Sequence, residues 1–207
     1  MKKNLILIFA LSIFTFSCMQ NNGNFNKDEL LLINSADSIM RVLTINDSLD
    51  AKVLRAKSTD LSPEALMSDD YTRLCGLMLA TVTHPSQDGV GIAAPQVGIN
   101  KRIVAVQRFD KPDRPFEVYP NIHIIHRSDS LKLGAEGCLS VPGMRGEVMR
   151  STEITIEYTD MSRLGDVSDQ KDLPVIQEAV SGFTAVIFQH EVDHLEGMIY
   201  TDRLTSK

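Results

Sequence analysis

Gly182 to Leu195 is apolar along most of its length, with Phe183, Ala185, Val186, Ile187, Phe188, Val192 and Leu195, yet it contains His190-Glu191-Val192-Asp193-His194. No other segment restricts the fold as much. Read as a helix, the stretch places the two imidazoles one turn apart on one face, where both reach a single divalent metal. The glutamate between them can then act on a metal-bound water. Two solvent-facing histidines on an amphipathic helix remain the alternative. The apolar flanks argue for burial, and buried imidazoles and carboxylates need partners. A metal supplies them, so a buried helix and a third ligand are expected.

Cys138, in Glu136-Gly137-Cys138-Leu139-Ser140, fits that need, because a thiolate suits zinc or iron(II). Gly134 and Gly137 beside it allow close backbone approach. The three cysteines, Cys18, Cys75 and Cys138, make no disulfide framework. Cys75 reads as a small buried thiol on an apolar helical stripe. Gly89-Val90-Gly91-Ile92-Ala93-Ala94-Pro95-Gln96 is glycine-rich but lacks the Lys-Ser/Thr and the strand-to-helix spacing of a phosphate loop. It reads as backbone lying against a small substrate, ending in the Gln96 amide. His84, His123 and His126 read as loop or surface residues.

The 207 residues suit one domain, and 43% hydrophobic content supports one sizeable core. A net charge of −6 and the absence of tryptophan disfavour nucleic-acid binding. The pattern predicts a helix from Asp28, as N-cap, to about Leu43, and a second opening at Pro63 with Leu66, Tyr71, Leu74, Leu77, Met78 and Val82 on one stripe. Ile103–Gln107 and Tyr119–Ile125 read as strands, as does Glu153–Tyr158 with Ile154 and Ile156 facing inward. Residues 160–174 read as a hairpin tip and Gly182–Leu195 as the last helix. Helices, then strands, then one helix suggest an α+β fold.

Residues 1–17 combine Met1-Lys2-Lys3 with a short apolar run from Leu5 to Phe16, the plan of a bacterial export signal. The run is too short for an ordinary membrane span. Ser17-Cys18 resembles the lipobox of bacterial lipoproteins, although Thr15 and Phe16 depart from its usual aliphatic and small residues. The expectation is an exported protein, lipid-anchored through Cys18 to the periplasmic or outer face of a membrane. A cytoplasmic protein is the alternative. Losing residues 1–17 removes two lysines and no acid, moving the net charge from −6 to −8. Asn21 to Asn26 reads as a flexible tether, and residues 18–48 as tether plus helical extension before a catalytic domain at 49–207.

Gly89 to Gln96, Glu136 to Ser140 and Gln189-His190-Glu191-Val192-Asp193-His194-Leu195-Glu196-Gly197 together resemble the three motifs of peptide deformylases, in order. The likeness extends to Val53-Leu54-Arg55, Pro120-Asn121 and Thr201-Asp202-Arg203, covering roughly residues 50–205. It implies the deformylase fold, with mixed or antiparallel sheets around a C-terminal metal-binding helix, and removal of the formyl group from N-formylmethionyl peptides. Cys138, His190 and His194 would hold one divalent metal ion, iron(II) in the cell or alternatively zinc. Glu191 would serve as general base and then acid. The Gln96 side chain and the Leu139 N–H would donate to the developing oxyanion. Gly91 would bond the peptide backbone and Arg145 would stand at the substrate mouth. Val90, Phe183, Val186 and Ile187 would wall the methionine pocket. Glu136 is a candidate acceptor from a ligand imidazole. The expected partners are formylated peptides and a membrane, with no nucleic acid and a monomeric state.

The helical extension, Thr184 in place of an aliphatic residue, and a long polar stretch from Arg163 to Pro174 depart from the family pattern. Three other readings share these residues: a hydrolase for another N-acyl group, a metal-holding protein that binds formylated peptides without turnover, and a zinc endopeptidase. Glu191 and Gln96 count against a binder. The endopeptidase lacks its usual third His or Glu ligand beyond the helix.

Overall fold

The computed structural model describes residues 23–162 and 173–205. The first helix, α1 (Lys27–Ser35), starts one residue before the expected cap: Asn26 accepts from the Asp28 and Glu29 N–H groups, and the Glu29 carboxylate answers to the Asn26 N–H. It also ends early. From Ala36 the chain is extended, because its backbone pairs elsewhere: Leu43 N–H donates to the Gln96 carbonyl (2.8 Å) and Ile45 N–H to that of Ser140 (3.0 Å). The expected tether is not free throughout. The Gly23 carbonyl accepts from Ser62 N–H and Asn24 bonds the Ser62 hydroxyl, so the described chain is fixed from its first residues.

A helix the pattern did not signal follows, α2 (Ser48–Leu54), capped by Asp47. The helix expected from Pro63 is two, α3 (Pro63–Leu66) and α4 (Asp69–Val82). Ser68 separates them: its hydroxyl donates to the Ala65 carbonyl and accepts from Tyr71 N–H. The stripe of six apolar residues is buried as expected, and burial raises the half-buried Cys75 thiol to about 11.

Among the described residues three antiparallel sheets follow. The first holds β1 (Gly91–Ala93), β2 (Ile103–Gln107) and β3 (Phe116–Pro120) in that order. The second holds β4 (His123–Arg127), β7 (Glu153–Thr159) and β8 (Val175–Ser181), and the third is the hairpin of β5 (Leu131–Cys138) and β6 (Val141–Ser151). The single strand expected over 119–125 is broken at Asn121, whose φ of +52° sends the chain from the first sheet to the second. His123 and His126 therefore lie on β4, still partly or fully exposed, while His84 is in an exposed turn. Ile154 and Ile156 face inward, 2% and 0% exposed. β7 and β8 form a hairpin whose closing bond runs from Asp160 N–H to the Pro174 carbonyl; residues 163–172 of its tip lie outside the described residues.

The last helix, α5 (Gly182–Leu195), runs through the middle. Ala185, Phe188, Val192 and Leu195 pack with Val104 and Val106 of β2 and Ile154 and Ile156 of β7. Gln189 clamps the helix to β6, donating to the Ser151 carbonyl and accepting from its N–H. Among the described residues no helix is long and apolar enough to cross a membrane.

Candidate metal centre and cleft

Two segments far apart in sequence meet at one point. Cys138 ends β5, just before the turn of the hairpin, and α5 presents His190 and His194 from one face. The Cys138 Sγ lies 3.2 Å from His194 Nε2, and one donor atom from each of the three residues falls within 4.8 Å of the others. Bonds of about 2.3 Å to sulfur and 2.0–2.1 Å to nitrogen around a tetrahedral ion set donors roughly 3.5 Å apart. The donor set therefore fits a divalent metal. His190 Nδ1 is engaged by Glu136 at 2.8 Å, which leaves Nε2 for the ion.

Around the donors lies a chain of alternating charge. Glu136 takes a two-pronged bond from Arg150 (2.7 and 2.9 Å), Arg150 reaches Asp193 (2.5 Å), and Asp193 takes a second two-pronged bond from Arg203 (2.6 and 2.7 Å). Burial would raise the Glu136 carboxyl, but the bonds from Arg150 and His190 prevail and hold it at about 2. Burial lowers the His190 imidazole, and bonds to Cys138 and Glu136 more than reverse that, lifting it to about 10. Burial, then the neighbouring His190, push His194 well below its ordinary value, which favours its neutral form. Of this chain only Glu136 was read from sequence as an imidazole acceptor. Arg150, Asp193 and Arg203 were missed, although a charged residue inside an apolar helix, as Asp193 is, was a usable signal.

Glu191 is 4% exposed and burial pushes its carboxyl up to about 7. Its Oε2 has no hydrogen-bond partner among the described residues. The opposite oxygen lies against β1, since a Cβ on Gly91 would stand 2.5 Å from Oε1 and 2.8 Å from the Ile187 methyl. A glycine is required there by close approach. Gly134 shows no such need: a Cβ there would meet nothing within 4 Å, so the expected close approach at that position is not found.

Gln96 sits in one turn of 3-10 helix, Ala94–Val97. Its Oε1 accepts from Ala93 N–H (2.8 Å), which turns Nε2 toward the Ser140 hydroxyl (3.2 Å) and the Cys138 sulfur (3.6 Å). The extended segment after α1 holds both neighbours in place through its bonds to the Gln96 and Ser140 carbonyls.

These groups open on a cleft of about 580 Å³. Gln96, Cys138, Leu139, His190 and Glu191 line it, as do all six residues expected to touch substrate: Val90, Gly91, Arg145, Phe183, Val186 and Ile187. His194 lies beneath the floor, 1% exposed. Phe183 stands at the rim, 55% exposed, edge-on to Phe109. Cys18, the expected acylation site, and residues 1–17 lie outside the described residues.

Comparison with known proteins agrees with this geometry. Residues 39–207 match the model of the family described as polypeptide deformylase. A peptide deformylase of Leptospira biflexa is 36% identical over 161 residues, covering 74% of this chain and 83% of that protein. A Met-Ala-Ser-bound crystal structure of a class I type b peptide deformylase from Acinetobacter baumannii superposes with a TM-score of 0.65 at 32% identity, over 80% of this chain and 98% of the other. The actinonin-bound structure of the Acinetobacter protein gives 0.66 at 31%, over 82% and 100%.

Proposed function

The chain belongs to the peptide deformylase family, and from that premise we propose which of its residues do the chemistry and where it works. It is a metallohydrolase that removes the N-formyl group from N-formylmethionyl peptides. The observation that carries the assignment of roles is the meeting of Cys138, His190 and His194 beneath a cleft into which Glu191 is buried with one oxygen unpartnered among the described residues.

Cys138, His190 and His194 hold the divalent metal. When bound, it supplies a Lewis acid and a water acidic enough to ionise near neutral pH. The mixed sulfur and nitrogen donors suit iron(II) and zinc; we assign iron(II) in the cell, with zinc as the substitute. Glu191 takes a proton from the attacking water at Oε2 and delivers it to the departing amine. Burial suits it to both roles, since a carboxyl raised to about 7 gives up and accepts protons near neutrality. Gln96 Nε2 and Leu139 N–H donate to the formyl oxygen as charge develops there, each worth ~10²–10³ in rate. Gly91 offers backbone bonds to the peptide and Arg145 guards the mouth. The methionine side chain enters between Val90, Phe183, Val186 and Ile187. All of these groups come from one chain, which supports a working monomer.

We place the protein outside the cytoplasm, anchored by acylation of Cys18. The support is the basic start, the short apolar run and Ser17-Cys18 in sequence. Stable anchoring takes two acyl chains or an equivalent second signal, which a lipoprotein carries. Metabolic labelling with an alkynyl fatty acid tests it. Label on the wild type and none on Cys18→Ser supports the anchor; soluble unlabelled protein starting near Met1 returns the chain to the cytoplasm.

The activity test is formate release from formyl-Met-Ala-Ser by protein lacking residues 1–17, purified anaerobically and loaded with iron(II) or zinc. Acetyl-Met-Ala-Ser is the comparison. Formate from the first and no acetate from the second is expected. Metal-loaded protein that releases no formate would overturn these roles.

A further inference from the structure

The hairpin that delivers Cys138 has an unused edge. Among the described residues β5 pairs with β6 alone, from Leu131 opposite Ser151 to Gly137 opposite Arg145, and no other backbone hydrogen bond reaches Leu131–Cys138. In an antiparallel strand alternate residues turn both N–H and C=O away from the partner. The outer edge of β5 thus presents a row of open donors and acceptors.

One face of this strand leads out of the cleft. Gly137 and Ala135 line it, and the next residues on the same side are Leu133 and Leu131, 42% and 58% exposed. Met149, opposite Leu133, is 43% exposed and widens the strip. Large apolar side chains are thus exposed on one line with the catalytic cleft, while the other face of the hairpin turns the buried Glu136, Val148 and Arg150 inward.

We infer that the outer edge of β5 from Ala135 to Leu131 is an extended binding track for the part of a formylated polypeptide that follows its first three residues. The inference rests on the deformylase reading, which fixes the formyl end beside Cys138, at the C-terminal end of β5. A peptide leaving along this edge runs antiparallel to β5 and adds to it as a strand. At about 3.3 Å per residue, the six steps from Gly137 to Leu131 span roughly 20 Å, the length of a heptapeptide. Directly opposed side chains share a face, so alternate residues of the peptide lie beside Ala135, Leu133 and Leu131. The track favours substrates with apolar residues near positions five and seven over short peptides.

The experiment measures kcat/KM for three substrates of the metal-loaded enzyme: formyl-Met-Ala-Ser, a formylated heptapeptide that begins Met-Ala-Ser with leucine at positions five and seven, and the same heptapeptide with serine there. The quantity read is the ratio of heptapeptide to tripeptide within each protein. Covering on the order of 60 Å² of apolar surface at ~25 cal/mol per Å² corresponds to about tenfold. The leucine peptide is expected to show that ratio, most of it in KM, and the serine peptide a ratio nearer one. In Leu131→Ser/Leu133→Ser, two exposed positions, the leucine peptide's ratio should fall to about one. N-methylation of the heptapeptide at residues four and six, which removes donors to the edge, should lower the ratio in wild-type protein. A wild-type ratio of one overturns the track while leaving the deformylase reading intact. A ratio that survives both the leucine changes and N-methylation places the contact elsewhere and overturns the track as well. No formate from any peptide overturns the deformylase reading itself.

Discussion

Gly91→Ala introduces one methyl group at the point where β1 touches Glu191, the general base proposed above. The added Cβ would stand 2.5 Å from Glu191 Oε1 and 2.8 Å from the Ile187 methyl, about 1 Å inside ordinary contact. Backbone on β1 cannot yield easily, because β1 pairs with β2 at every residue. The carboxylate is the movable partner, and it must swing by roughly the missing 1 Å. The stability cost is that of a modest overpacking, about 1–2 kcal/mol. A 1 Å displacement of a catalytic group costs on the order of 10²-fold in rate, or about 2.7 kcal/mol of barrier. The nearest atoms to the new methyl include none from Cys138, His190 or His194, the ligands proposed above, so metal content should stay at wild-type level. Nor does the change remove the residue's backbone N–H or carbonyl. The assay is kcat and KM on formyl-Met-Ala-Ser, with metal content by atomic absorption and thermal unfolding on the same sample. The expected result is full metal, a small drop in melting temperature and a loss concentrated in kcat. A folded, metal-replete variant that keeps more than a tenth of the wild-type kcat would refute the claim that β1 sets the position of the base.

Glu191→Gln should keep the metal and lose ~10²–10⁴-fold in turnover, because the carboxylate moves the proton and does not hold the ion; Cys138→Ala should lose metal on dialysis, and equal metal content in both variants would contradict the division of roles. Arg150→Met leaves Glu136 and Asp193 buried without their shared cation, so a loss of about 3–5 kcal/mol is expected in urea unfolding, together with 10–100-fold weaker metal binding in a chelator competition. Asp110 is held at about 2 by its hydrogen bond to Arg108, below its ordinary carboxyl range. Its contribution is present above about pH 4 and lost as pH falls toward 2. The stability gap between wild type and Asp110→Asn should therefore narrow over that window, and a gap unchanged down to pH 2 would remove Asp110 from the acid response.

The sequence was most legible where one residue type can do only one thing. Histidines at i and i+4 inside an apolar run indicated both the helix and the metal, and α5 has the expected bounds. The run from Gly89 to Gln96 announced close backbone contact, and Gly91 makes it, although against Glu191 itself and not only toward a substrate. The extension was harder to read. Its apolar residues follow a helical period past Ser35, yet the chain straightens at Ala36 because Leu43 and Ile45 find partners in the loops of Gln96 and Ser140. Such partners are more than 50 residues away and leave no local trace. β5 escaped notice for a related reason. Leu131, Leu133 and Ala135 alternate, but on the exposed face, and Gly134 and Gly137 weaken the strand signal, so its strand form comes from the pairing with β6. The links from Arg150 to Asp193 and on to Arg203 likewise exist only once three segments have met.

That line of charges from Glu136 through Arg150 and Asp193 to Arg203 also limits how this sequence can drift. Two acids and two bases balance along it. A change at either inner member strands a neighbour of opposite sign in a region where Glu136, Arg150 and Asp193 are all less than a tenth exposed. Single steps are therefore penalised, while a matched exchange, such as an apolar pair replacing Asp193 and Arg203 together, leaves Glu136 and Arg150 paired and is far less costly. Only Arg203, partly in water, can be lost alone at small expense. Divergence at this centre should begin from its outer end and move inward in pairs, with the two histidines changing last.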